Sequence, residues 1–284
     1  MTEITFDATS RFVKTGDVTI HLNDVGEGPP VVLLHGSGPG ASSWSNFKQN
    51  LPALTQHFRC LAVDQPGFGR SDKPEFRDQS FYKVTSDALL SLLDELGLEK
   101  VDFIGNSLGG ASALRFALDH PDRSRKLLLM GPGGAAVNIF TTVPSEGIKL
   151  LNRFYDPPGP SRERLEDFIR IMVYDQSLIT DELIDERFAV AKDPEVVAGS
   201  KRAIDSFSRP NEDDQLWRSL HKIRHEVLMT WGRDDRVLPL DNAFFALRRM
   251  PNARLHVFPR CGHWAQVEHQ AEFDELAVAF FRRG

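Results

Sequence analysis

The 284-residue sequence has little cysteine, no excess of basic residues and no apolar run of the roughly 18 residues that cross a bilayer. Its two cysteines, Cys60 and Cys261, cannot build a disulfide framework and lack the spacing of a metal-binding pair. The formal net charge of −6 leaves no basic footprint for a nucleic acid or an anionic membrane. Residues 1–7 lack the apolar core of a signal peptide. We therefore expect a cytoplasmic protein with no nucleic-acid, membrane or metal partner.

Short apolar runs recur along the chain, and each ends in glycine, proline or polar residues. They cover 31–34, 60–63, 101–104, 127–130, 227–231 and 255–258. Their lack of polar alternation is typical of strands that are buried on both faces. Helical patterns lie between them, at about 82–96, 109–120, 240–249 and 271–281. The alternation predicts an α/β fold with a mostly parallel sheet, to which 18–21 adds an antiparallel edge strand.

The strand rhythm stops between about Phe140 and Pro210, where the pattern becomes helical. Ser161 precedes one amphipathic stretch, and Thr180 is a candidate N-cap for another. A helical insertion between core strands predicts a lid over the catalytic face. We therefore expect three segments, with 1–139 and 211–284 forming the core and 140–210 forming the lid.

The stretch Gly105-Asn106-Ser107-Leu108-Gly109 follows the apolar run at 101–104 and opens a helical pattern. It matches the nucleophile elbow, in which a serine sits on a sharp strand-to-helix turn and the flanking glycines remove side chains that would clash. A G-x-S-x-G sequence arises by chance in roughly one chain of this length in ten. The strand before it and the helix after it are what favour the elbow.

The acid and the base of a serine triad follow the nucleophile in this fold, in that order. Asp234 and Asp235 come after the run at 227–231, and His263 comes after the next run. We predict the triad Ser107, Asp235 and His263, because Asp235 lies further into the loop. Asp234 remains the alternative acid, and a satisfied loop histidine remains the alternative for His263.

An acyl oxygen needs hydrogen-bond donors where its negative charge develops, and each is worth roughly 3–4 kcal/mol. The backbone amide of Leu108, directly after the nucleophile, is one candidate. The Ser37 amide, in the glycine-rich stretch 35–40, is the second. A merely tight turn would also explain those glycines.

Seven stretches spread over nearly the whole chain resemble the meta-cleavage-product hydrolases of the α/β-hydrolase superfamily. They are HGSGPGA at 35–41, WSN at 44–46, GNSLGG at 105–110, MGPGG at 130–134, VYDQSLIT at 173–180, WGRDDR at 231–236 and CGHWAQ at 261–266. The resemblance implies cleavage of a carbon–carbon bond in 2-hydroxy-6-oxohexa-2,4-dienoates, without a metal or organic cofactor. It also implies self-association. One departure is Ser37, where many family members carry a glycine.

The resemblance also implies roles for residues outside the triad. Asn106 and Arg187 are similar to residues that hold the dienoate carboxylate and 2-oxygen, and Asn46 and Trp264 to others lining that end. Without the resemblance, Arg187 would be interpreted as a solvated helix residue. Candidates for the apolar end are Ile139, Phe140, Val143, Ile148, Leu150 and Trp217.

Two other functions and one mechanistic choice remain open from the sequence. A serine carboxylesterase would use the same triad, and a catalytically silent ligand-binding domain would keep only the fold. Ser107 could form an acyl-enzyme, or it could polarise the ketone for direct attack by water.

Overall fold

The computed structural model describes residues 4–76, 79–135, 140, 143–207 and 214–283. Eight strands form one sheet in the order β1-β2-β4-β3-β5-β6-β7-β8. Their bounds are β1 (Ser10–Thr15), β2 (Val18–Val25), β3 (Pro30–Leu34), β4 (Arg59–Val63), β5 (Val101–Asn106), β6 (Ser124–Met130), β7 (Glu226–Gly232) and β8 (Ala253–Phe258). β1 and β2 pair antiparallel, as do β2 and β4, and the remaining pairs are parallel. The predicted α/β fold is confirmed.

Helices connect the parallel strands and cover both faces of the sheet. They are α1 (Phe6–Thr9), α2 (Ser43–Phe47), α3 (Leu51–Leu54), α4 (Phe81–Glu95), α5 (Leu108–Asp119), α6 (Glu146–Tyr155), α7 (Arg162–Met172), α8 (Asp181–Ala191), α9 (Pro194–Phe207), α10 (Asp241–Arg249), α11 (Ala265–Glu268) and α12 (Gln270–Arg282). Short 3-10 turns lie at Pro121–Arg123, Gln176–Leu178, Leu216–Arg218 and Leu220–Lys222. Along the described chain, no helix is both long and apolar enough to cross a membrane.

The central strand β5 explains why the apolar runs are continuous. All six of its residues are buried, and its side chains alternate between two apolar layers. Phe103 packs with the α4 and α5 side chains, whereas Ile104 packs with those of α3 and α12. A strand covered on both faces therefore favours apolar residues at successive positions, and the buried Asp102 is accommodated by its ion pair with Arg125.

Four helices, α6 to α9, lie between β6 and β7 where the sequence predicts a lid. The predicted N-cap Thr180 is confirmed, since its Oγ1 accepts from Leu183 N, and Ser161 caps α7 in the same way, its Oγ accepting from Arg164 N. The lid has its own apolar cluster, and Val237 and Trp264 from the core also belong to it. The predicted segment limits lie between residues 139 and 140 and between residues 210 and 211. Because 136–139 and 208–213 are outside the described residues, both limits stay predictions.

Candidate active site

Ser107 occupies the turn between β5 and α5. Its φ of 53° and ψ of −111° lie where residues with a side chain are rarely found. Backbone hydrogen bonds hold this conformation, with Ser107 N donating to Met130 O at 2.8 Å and Gly133 N donating to Ser107 O at 2.9 Å. Because α5 begins at Leu108, the partial positive charge of the helix N-terminus lies beside the serine.

The two glycines of the motif are required by packing. A Cβ on Gly105 would lie 2.5 Å from Gly109 O, across the turn. A Cβ on Gly109 would lie 2.1 Å from Leu34 O, at the end of the neighbouring strand β3. Both separations are far below van der Waals contact, so the sharp turn is possible only without these side chains.

Asp235 and His263 form a buried pair at the ends of β7 and β8. Asp235 Oδ2 lies 2.7 Å from His263 Nδ1, and both side chains are 1% exposed. Asp235 Oδ1 accepts from the backbone amides of Val237 and Leu238, which fixes the carboxylate. A carboxylate accepts a hydrogen bond from Nδ1–H, so Nε2 is left as the basic nitrogen. That nitrogen is buried and makes no hydrogen bond within the described residues.

The structure also separates the two candidate acids. Asp234 lies in a half-exposed position and pairs with the neighbouring Arg233 at 3.2 Å. Only Asp235, of these two, contacts His263. Ser107 and His263 line one cavity, although their hydrogen bond is not formed in this structure. Catalytic hydrogen bonds are often long without substrate, so the geometry is compatible with proton transfer.

Ser37 and Leu108, whose amides are the candidate oxyanion donors, line the same cavity. The stretch that carries Ser37 passes close to the nucleophile, because a Cβ on Gly36 would lie 3.4 Å from Ser107 Cβ. The stretch that carries Ser37 and the start of α5 therefore both adjoin Ser107.

The cavity has a volume of about 290 Å³ and lies between the strand ends and the lid. The residues that line it include a group around Arg187 and Asn106 and a group of aliphatic side chains. We call the first group the polar end, comprising Asn46, Asn106, Arg187 and Trp264. We call the second the apolar end, comprising Ile148, Leu151, Val237 and Leu238.

Arg187 is buried, with 4% of its surface exposed, rather than solvated. It reaches from α8 to the stretch after β3, where Nη2 donates to Pro39 O at 2.8 Å. Its guanidinium carbon lies 5.2 Å from the centre of the Trp264 ring, a cation–π contact. Burial lowers the pKa of Arg187 to about 10, although the negative charge of Glu186 acts in the opposite direction. The guanidinium therefore stays charged at neutral pH, and its buried Nε has no hydrogen-bond partner in the described structure.

Two buried asparagines complete the polar end. Asn46 Nδ2 and Asn106 Oδ1 lie 3.4 Å apart, and Asn46 Oδ1 lies 3.4 Å from Gly36 N. These contacts are at the long limit of hydrogen bonding, so both amides keep capacity for a further partner. The structure thus brings together the four residues predicted to hold the dienoate.

Most of the residues predicted for the apolar end do not line the cavity. Ile148 lines the cavity, but Leu150 and Trp217 do not, and Phe140 and Val143 are 86% and 76% exposed. Ile139 lies outside the described residues. Sequence reasoning missed Leu151, Val237 and Leu238, and also Phe168 and Met172 on the buried face of α7. The amphipathic pattern of α7 was the available signal, but it indicates packing equally well.

Tyr82 and Asp214 were also missed, and both line the cavity. Burial and the neighbouring Asp214 carboxylate raise the pKa of Tyr82. Across the described residues, Arg187 is the one cationic side chain on the cavity wall. No group of three or more His, Cys, Asp or Glu side chains suited to a metal ion occurs in the part of the chain that is described.

Comparison with known proteins places the chain in a superfamily and then in a family. A model of the alpha/beta hydrolase fold matches residues 29–270, so the protein is an α/β hydrolase. The 2-hydroxy-6-oxo-6-phenylhexa-2,4-dienoate hydrolase of Burkholderia cepacia is 43% identical, with 100% of both chains covered. A 2-hydroxy-6-oxononadienedioate/2-hydroxy-6-oxononatrienedioate hydrolase of Comamonas testosteroni is 42% identical, again with 100% of both covered.

Solved structures agree with these relatives. The 2-hydroxy-6-oxo-6-phenylhexa-2,4-dienoate hydrolase of Rhodococcus sp. strain RHA1 has a TM-score of 0.84 at 32% identity, over 96% of this chain and 100% of that one. The chain belongs to the meta-cleavage-product hydrolases.

Proposed function

We propose that this protein hydrolyses the C5–C6 bond of a 2-hydroxy-6-oxo-6-substituted hexa-2,4-dienoate. The products are 2-hydroxypenta-2,4-dienoate and a carboxylic acid. One observation carries the proposal, namely that a buried guanidinium and two buried amides share a cavity with a serine elbow and an Asp–His pair. The first set suits a planar carboxylate with an adjacent oxygen, and the second suits attack on a carbonyl.

The polar end prepares the substrate for cleavage. Carbon is a poor leaving group, so the electrons of the broken bond need a conjugated acceptor. Loss of the 2-hydroxyl proton and protonation at C5 give the 2,6-dioxo form, which provides that acceptor. Arg187 and Asn106 hold the carboxylate and the 2-oxygen in this form, and His263 moves the proton.

Ser107 then attacks the C6 carbonyl while His263 Nε2 takes its proton. Asp235 holds the imidazole by Nδ1 and stabilises its charged form. The amides of Leu108 and Ser37 stabilise the oxyanion. Collapse breaks the C5–C6 bond, its electrons pass into the dienolate, and His263 returns a proton. Water activated by the same histidine hydrolyses the acyl-serine and releases the acid.

A serine carboxylesterase is the second candidate function, because it would use the same triad and oxyanion donors. The polar end argues against it, since a neutral ester gives no partner to a buried guanidinium. Turnover of simple aryl esters without cleavage of a dienoate would favour the esterase. The intact Asp235–His263 pair also weighs against a silent binding domain.

The test is cleavage of 2-hydroxy-6-oxo-6-phenylhexa-2,4-dienoate, followed by loss of its visible absorbance. Ser107→Ala is expected to lower kcat by roughly 10⁴-fold or more. Ser91→Ala, on α4 and away from the cavity, is the matched control. Mass spectrometry of the parent enzyme, quenched during turnover, should detect benzoylated Ser107. Activity retained in Ser107→Ala would refute the nucleophilic route, and direct attack by water would replace it.

We further propose that the protein is cytoplasmic, self-associates and needs no metal or cofactor. The acidic sequence and the family resemblance support these proposals. Size-exclusion chromatography with light scattering, and activity after treatment with a chelator, would test the last two.

A further inference from the structure

The carboxylate of Glu268 accepts three backbone hydrogen bonds from two separate parts of the chain. Its Oε1 accepts from Gly262 N at 2.6 Å, directly before His263. Its Oε2 accepts from Tyr174 N at 2.6 Å and from Asp175 N at 2.9 Å, where the chain leaves α7. Glu268 lies at the end of α11 and does not line the cavity. Its contacts join the loop that carries His263 to the lid.

A direct bond reinforces this junction. His263 N donates to Met172 O at 2.7 Å, so the backbone of the histidine is itself bonded to the lid. The approach is close enough to require glycine beside it, because a Cβ on Gly262 would lie 2.5 Å from Met172 O. Three hydrogen bonds therefore connect 172–175 with 262–268, and a fourth, from Gly262 N to Glu268 Oε1, ties the second segment together.

The two ends of His263 are thus fixed by different elements. Asp235, after β7, holds the ring through Nδ1. The backbone is set by Met172 and, through Gly262, by Glu268. Hydrogen bonds to a carboxylate are about twice as strong as neutral ones, so the charged acceptor matters for this second anchor. Burial and the Glu268 carboxylate also raise the pKa of the Cys261 thiol, because the carboxylate lies close to Cys261 at the start of the loop that carries His263.

We propose that Glu268 is a positioning residue that couples the lid to His263, so that Nε2 is set for proton transfer only while 172–175 rests on the core. This role goes beyond the proposed function, because it applies to any reaction in which His263 activates Ser107. Glu268 acts through His263 and touches no substrate.

The test compares Glu268→Gln and Glu268→Ala with Glu272→Gln. Glu272 is a nearby carboxylate on α12 that faces His256 and His269. The first readout is the rate at which a fluorophosphonate labels Ser107, which requires His263 but no dienoate. The second is kcat and KM for the phenyl dienoate. The third is the dissociation constant of that dienoate in a Ser107→Ala background, where it stays intact.

Glu268→Ala is expected to lower both kcat and the labelling rate by roughly 10- to 100-fold, as misplacement of a catalytic group does. Glu268→Gln should fall between this and the parent, because its amide keeps one acceptor oxygen. KM and the dissociation constant should stay within about threefold, and Glu272→Gln should match the parent. Hydrogen exchange should speed up at the amides of Gly262, Tyr174 and Asp175 but not in the central sheet.

Unchanged labelling in both variants would overturn the proposal, and so would losses of binding that parallel the losses of rate. Should Glu268→Ala not fold, Glu268→Gln alone decides by the same criteria. Failure of the proposed function is distinguishable, because it would appear as absent dienoate cleavage in the parent while Ser107 is still labelled.

Discussion

The two ends of the cavity are built on different principles. The polar end takes its side chains from α2, β5, α8 and the turn before α11, and each of them is at least 94% buried. The apolar end takes Ile148 and Leu151 from the lid helix α6 and Val237 and Leu238 from the loop after β7. One end presents directional donors, and the other presents surface without hydrogen-bonding groups.

This difference matches the two halves of the proposed substrate. Every 2-hydroxy-6-oxohexadienoate carries the same carboxylate and 2-oxygen, so rigid and directional groups are suited to that half. The group at C6 varies between substrates, and apolar side chains discriminate weakly by size alone. Affinity for the dienoate and choice of the C6 group should therefore respond to different mutations.

The largest effect is expected from Arg187→Met. Removal of the guanidinium leaves the carboxylate of the dienoate unpaired in a buried site, which should lower kcat/KM by about 10²- to 10³-fold. Arg187→Lys should restore little, because an ammonium cannot engage both oxygens in one plane. The rate with 4-nitrophenyl acetate, which has no carboxylate, serves as the control. An equal loss with both substrates would mean that Arg187 supports the fold rather than the polar end.

The next effect concerns a second carboxylate on the substrate. 2-Hydroxy-6-oxonona-2,4-dienedioate would place a negative charge at the apolar end, which carries no cationic side chain, in a cavity whose wall also includes the Asp214 carboxylate. We expect kcat/KM to be about 10- to 100-fold lower than for the phenyl dienoate. Asp214→Asn should bring the kcat/KM values for the two substrates closer together, whereas Glu182→Gln, at an exposed position, should leave their ratio unchanged. A preference for the dienedioate would contradict the description of this end.

A smaller effect is expected from Ile148→Ala. The lost contact should lower kcat/KM for the phenyl dienoate by about tenfold, and much less for 2-hydroxy-6-oxohepta-2,4-dienoate, whose C6 group is methyl. Leu150→Ala is a matched control on the same helix, because Leu150 does not line the cavity. Equal changes in the phenyl-to-methyl ratio for both variants would show that Ile148 does not contact the C6 group.

The smallest effect is expected from Asn46→Ala. Its contacts with Asn106 and Gly36 are long, so their loss should lower kcat/KM for both dienoates by only about threefold. The phenyl-to-methyl ratio should stay constant, since Asn46 belongs to the polar end. A changed ratio would show that the two ends are not independent.

The sequence predicted the buried strands well because both of their faces are covered, which leaves a continuous apolar run. It missed β1, an edge strand whose alternation is weak and whose Phe12 is 56% exposed. Asp235 was preferred correctly over Asp234 as the partner of His263. Confirmation required the loop geometry, because adjacent aspartates point in different directions.

The lid marks the limit of sequence reasoning. Arg187 lies in the acidic stretch Asp181–Ala191, whose pattern by itself predicts a solvated helix. Only the family resemblance indicated that Arg187 belongs to the site. Ile148 and Leu150 are equally apolar, and only the rotation of α6 over the core decides which of them meets the cavity. That rotation depends on packing between distant segments, so local pattern could not resolve it. Glu268 had no signal of its own, because its partners are backbone amides.

The close approach of Gly109 to Leu34 has an evolutionary consequence. Gly109 allows the start of α5 to approach β3, and Gly105 allows β5 to approach the start of α5, whether or not the serine reacts. A descendant of this protein that lost its activity would be free to replace Ser107, but it would retain Gly105 and Gly109. Such descendants would thus keep both glycines of the motif after the activity was lost, and only the residue at position 107 would show the change.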